Sequence, residues 1–172
     1  FTHILSALIN EKTGMSALDY AVEKLFTPLG ITDYVWPSSP TGVSFGYSEL
    51  RLRPRDMAKL GFLYLHGGEW DGEQIVPADY VAASFGGTLA TGWPDTSYGY
   101  QFWTIDSVDA VMALGAHGQH IIMFPDKDLM VVVTAGASGD LVAQLISYPL
   151  TYQAAQLTTA DEALPENPDG VS

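Results

Sequence analysis

Residues 53–81 read RPRDMAKLGFLYLHGGEWDGEQIVPADYV, and this stretch decides the fold class. Arg53-Pro54-Arg55-Asp56 opens a helix. Proline suits a first helical position, where its missing N–H leaves nothing unbonded, and an early acid meets the positive end of the helix dipole. The apolar run beyond Met57 stops at Gly67-Gly68, because glycine accepts the left-handed backbone that closes a helix. Trp70-Asp71-Gly72 then turns the chain, and Pro77 starts a further helix over 77–84. The helix over 54–66 is apolar on nearly every side, which predicts burial rather than one wet face.

Upstream, Ile4, Leu5, Leu8 and Ile9 recur at helical spacing, with Lys12 in the last turn and Gly14 as the stop. Ser16 caps a second helix over 17–26, with Asp19 three residues on as a short capping box. Residues 35–44 are a loop rich in Pro, Ser and Gly, and 86–97 is another. After residue 98 the period shortens. Residues 98–105, 110–115, 119–124 and 130–134 read as four strands of an antiparallel meander. Pro125-Asp126-Lys127-Asp128 is a turn, Asp140 opens a helix to about residue 156, and 158–172 reads as a loose acidic tail. Residues 1–157 make one domain without internal repeat.

The formal charge of −13 argues against nucleic acid and anionic membrane surfaces as partners. The longest strongly apolar run, residues 129–137, is too short to span a bilayer. The absence of cysteine excludes disulfide and thiolate chemistry and leaves the compartment open. The chain enters in mid-pattern at Phe1-Thr2-His3, so we read it as a piece of a longer protein.

With Leu25-Phe26-Thr27-Pro28-Leu29-Gly30-Ile31 upstream, the order of features in 53–81 resembles the serine β-lactamase-like hydrolases. That family takes in class C β-lactamases, DD-peptidases, related esterases and 6-aminohexanoate-oligomer hydrolases. The resemblance runs over residues 4–135. It implies an α+β fold, the C-terminal portion of a β-lactamase/transpeptidase-like domain: an antiparallel sheet of about four strands packed by helices, with one sheet edge and one face exposed. It also implies acyl transfer on a small ester, amide or peptide-like substrate, without a cofactor.

Such chemistry uses a serine one helical turn before a lysine, Ser-x-x-Lys, and a Tyr-x-Asn motif that moves the proton. Neither occurs here. The resemblance implies that both lie upstream of Phe1, and that this chain alone is inactive. Lys12-Thr13-Gly14 has the letters of the family's Lys-Thr-Gly strand but closes a helix, so it reads as a helix stop. Gly42-Val43-Ser44-Phe45-Gly46 matches the nucleophile elbow of α/β-hydrolases, and an esterase using Ser44 is the first rival. That elbow needs a strand before it and a helix directly after it. A non-catalytic module that kept the fold is the second rival.

Gly115-Ala116-His117-Gly118-Gln119 is the candidate site element. It joins two strands, and its glycines let backbone approach a ligand closely. The resemblance places it along the substrate groove, with His117 the one candidate catalytic residue, donating a hydrogen bond to a substrate oxygen. A histidine capping a tight hairpin accounts for the same residues. His3, His66 and His120 show no metal-ligand spacing, so no metal is expected. The exposed sheet edge invites strand pairing with a partner.

Overall fold

The computed structural model describes residues 2–136 and 148–158. The helices are α1 (Thr2–Thr13), α2 (Ala17–Ala21), α3 (Pro54–Leu65), α4 (Ala78–Phe85) and α5 (Tyr148–Ala155). Two hairpins flank α3: β1 (Tyr34–Val35) with β2 (Arg51–Leu52), and β3 (Glu69–Trp70) with β4 (Glu73–Gln74). The main sheet holds β5 (Leu89–Ala90), β6 (Thr96–Gly99), β7 (Phe102–Ile105), β8 (Ala110–Gly115), β9 (Gln119–Phe124) and β10 (Leu129–Val133). Its spatial order is β10-β9-β8-β7-β6-β5, an antiparallel meander in chain order. The mixed helix and antiparallel-sheet class is the one expected.

The local signals around α3 act as expected. Arg53 is its extended N-cap residue and Pro54 its first residue. Asp71 and Gly72 have φ of 51° and 80°, the two left-handed residues of a type I′ hairpin. Asp56 is buried and pairs with Lys59 at 2.9 Å, and Lys59 Nζ donates to Gly30 O at 2.9 Å. The two segments that carried the resemblance, 25–31 and 53–81, thus touch through this lysine. Ser16 Oγ accepts from Asp19 N at 3.0 Å and caps α2, which widens into a π-helical turn over Val22–Phe26.

Both faces of the main sheet are covered, against the expectation of one exposed face, which explains why its strands show little polar alternation. On one face Ile105, Met112, Ile122 and Phe124 pack against Ala154 of α5. On the other, Val111, Ile121 and Met123 pack against Met57, Leu60, Tyr64 and Leu65 of α3. Leu63 points away from the sheet into a separate cluster of Phe26, Leu29 and Ile31, and it is wholly buried. Burying one such leucine contributes roughly 1.5–3 kcal/mol. Leu60 touches both clusters, so α3 is the element that joins the helical side to the sheet.

Four further expectations need correction. The sheet has six strands rather than four. Residues 98–105, expected as one strand, are two: Tyr100 and Gln101 have φ of 49° and 73° and form a two-residue turn that sets Tyr98 opposite Trp103. Tyr-Gln carries no turn signal. Packing accompanies the turn instead, through the Tyr98–Trp103 ring pair at 5.0 Å and Tyr80–Tyr100 at 5.4 Å. Third, α3 is not buried all round, because Phe62 is 41% exposed and stacks on His66 with ring centres 3.8 Å apart. Fourth, helix 17–26 is α-helical only over its first half.

Lys12-Thr13-Gly14 does close a helix: Gly14 has φ of 74° and its N–H donates to Asn10 O at 2.9 Å. Ile4, Leu5 and Leu8 of α1 are exposed. Most of the helix expected from residue 140, and all of the 158–172 tail but Thr158, lie outside the described residues. Among those described, no helix is long and apolar enough to cross a membrane.

Candidate functional site

The β8–β9 hairpin is built from the sequence upward. Ala116, His117 and Gly118 make the turn, with His117 at φ 63° and Gly118 at φ 91°. Gly115 faces Gln119 across the closing pair, where a Cβ on Gly115 would lie 2.9 Å from the Gln119 carbonyl oxygen. Glycine is therefore required there by space. Gln119 reaches the other way, its side-chain amide donating to Ala135 O. His117 is exposed at the tip, whereas His120 is buried beneath it and hydrogen-bonds the Gly115 backbone. Burial lowers the pKa of His120, and the Gly115 bond opposes that more weakly.

The register creates an opening beside this hairpin. Pairing between β7 and β8 ends at Trp103↔Met112, whereas pairing between β8 and β9 continues to Gly115↔Gln119. Ala113 still lies opposite Phe102, and Leu114 and Gly115 run past the end of β7. The space beside them is a groove of about 480 Å³, walled by β8 and β9, by Met57 and Leu60 of α3, by Gln101 and by Leu50–Leu52. A strand segment without a neighbour on one side offers backbone donors and acceptors to whatever lies there.

Of the five expected site residues, Gly115 and Gln119 line this groove; Ala116, His117 and Gly118 form the turn above it. Sequence reasoning missed the opposite wall, because Arg51, Met57 and Leu60 come close only through tertiary packing. It also passed over His120, whose burial no local pattern announces. Ser44 is elsewhere. It is wholly buried, its Oγ accepts from Leu18 N at 3.3 Å, and the segment after it has no helix before α3. That geometry is not a nucleophile elbow, and the α/β-hydrolase rival loses its support.

Tyr64 does not supply a base here. Burial, then the charge of Tyr80, pushes its pKa up to about 12, so it stays a phenol at neutral pH. A second cavity of about 410 Å³ opens at the other end of β8, lined by Asp106, Asp109 and Asp126. Asp106 there accepts from Thr104 Oγ1 at 2.8 Å. Among the described residues no group of three or more His, Cys, Asp or Glu is placed to hold a metal ion.

No family model matches the chain. It is 25% identical over 142 residues to the 6-aminohexanoate-dimer hydrolase of Paenarthrobacter ureafaciens, with 76% of this chain and 36% of that protein covered. A solved structure described as "Putative 6-aminohexanoate-dimer hydrolase from Bacillus anthracis" superposes with a TM-score of 0.78 at 24% identity. That match covers 89% of this chain and 41% of the other. The chain is thus similar in sequence to one hydrolase of that name and in fold to another. It spans well under half the length of either relative, and over that span it carries the β-lactamase-like fold.

Proposed function

We propose that this β-lactamase-like chain forms one wall of the substrate groove of a serine hydrolase that works by acyl transfer on an ester or amide. The observation that carries the proposal is the overhang of Leu114 and Gly115 beyond β7, opening on an apolar groove of about 480 Å³. Backbone N–H groups fixed at such an overhang can stabilise the oxyanion of a tetrahedral intermediate, because they are oriented before charge develops. His117, at the lip of the groove, would donate a hydrogen bond to a substrate oxygen. The nucleophile and its proton carrier would come from residues outside this chain, which has no Ser-x-x-Lys and no Tyr-x-Asn. The names of the relatives favour an amide of an aliphatic amino acid as substrate.

The test is made on protein spanning the relatives' full length. Hydrolysis of a p-nitrophenyl ester or of the 6-aminohexanoate dimer, with fluorophosphonate labelling of a serine, supports the proposal. Absence of both turnover and labelling rejects it. In that protein His117→Ala should lower kcat/KM by roughly ten- to a thousandfold while the serine still labels, since such a hydrogen bond contributes about 2–4 kcal/mol.

A further inference from the structure

The groove holds a charge that the acyl-transfer chemistry does not use. Its described lining is largely apolar, with Leu52, Met57, Leu60 and Ile121 among the residues there, two glutamines and a single charged residue, Arg51. We propose that Arg51 makes this groove selective for substrates whose aliphatic chain ends in a carboxylate, an inference that rests on the groove being the substrate groove.

Arg51 sits on β2 opposite Val35, with its guanidinium well exposed. Its neighbour Arg53 is already held by Asp33 at 2.6 Å, so the two arginines are not equivalent. Among the described residues Arg51 is held only by Glu49, at 3.1 Å, and that pair is largely in solvent. Such a pair is weak, because water screens the attraction and two side chains must be ordered to make it. A ligand carboxylate delivered by a chain lying along Leu52, Leu60 and Ile121 can take Glu49's place. It exchanges one exposed ion pair for another and adds buried apolar surface. Guanidinium suits the exchange, since its planar fork binds both carboxylate oxygens. A neutral end group would leave the Arg51–Glu49 pair intact and gain only the apolar contact.

The experiment uses the chain as it stands, with methyl-labelled Leu, Ile and Met followed by NMR at about 0.15 M salt, where long-range repulsion from the acidic surface is screened. The probes are 6-acetamidohexanoate and its methyl ester. The acid should shift the Met57, Leu60 and Ile121 methyls and bind roughly three- to tenfold tighter than the ester. Arg51→Gln should bring the two ligands to equal affinity without changing ester binding, and Arg51→Lys should restore part of the preference. Glu49→Gln, which removes the competing carboxylate and leaves Arg51 in place, should strengthen acid binding alone. Equal binding of acid and ester to the natural chain, a preference that survives Arg51→Gln, or no shift at those methyls with either ligand would overturn the assignment. Failure of full-length protein to hydrolyse amides or esters would strike the hydrolase proposal while leaving a measured acid preference standing.

Discussion

Gly61 of α3 lies so close to Met130 of β10 that a Cβ on the glycine would sit 2.8 Å from the methionine sulfur. The same Cβ would lie 2.9 Å from Ile121 Cγ2 on β9. Here the helix meets the sheet almost backbone to side chain, and the groove beside Gly115 inherits its wall from that approach.

Gly61→Ala is therefore expected to destabilise the chain by about 1–2 kcal/mol, although alanine is the better helix former by up to about 1 kcal/mol. Met130 is flexible and can yield; the branched Ile121 cannot yield cheaply. Urea denaturation checks this, and a variant as stable as the natural chain would mean that the approach is looser than described.

Leu63 and Leu60 share a helix but not an environment. Leu63 is wholly buried against Phe26, Leu29 and Ile31, while Leu60 is half-buried between two clusters. Leu63→Ala should cost about 2–5 kcal/mol and Leu60→Ala about 2 kcal/mol, since the exposed side of Leu60 leaves less cavity behind. The order of the two midpoints in one denaturation series is the deciding quantity.

Ser44 is a structural hydroxyl. Its oxygen accepts the Leu18 N–H in the first turn of α2, so Ser44→Ala should cost roughly 1 kcal/mol by stranding that donor. Incubation of this chain with a fluorophosphonate probe should leave it unlabelled by intact mass. A single adduct mapped to Ser44 would reverse that assignment.

His120 makes stability depend on pH. Its folded pKa lies below the ordinary 6.5 because burial disfavours the charged ring. The unfolded chain then binds the proton more readily than the folded one, so the contribution is complete above 6.5 and is lost as pH falls towards the folded pKa. Thermal midpoints should begin to drop as pH falls below 6.5, before most carboxylates titrate. His120→Phe should flatten the drop in that window. If natural chain and variant decline in parallel, His120 is not the group responsible.

The elements legible in the sequence are those whose cause is local. Pro54 and Asp56 set where α3 begins, Asp71-Gly72 turns the β3–β4 hairpin, and Ser16 with Asp19 starts α2. Each meets a backbone demand within a few residues. Gly115 and Gln119 were legible for the same reason, as the closing pair of a tight hairpin. The turn at Tyr100-Gln101, the exposure of Phe62 and the burial of His120 carry no local mark, because each is the outcome of which surfaces pack together. The groove belongs to that second group. Its floor comes from α3, its charged rim from Arg51 and its open backbone from the early end of β7, and α3 and Arg51 stand next to Gly115 only when distant chain segments meet.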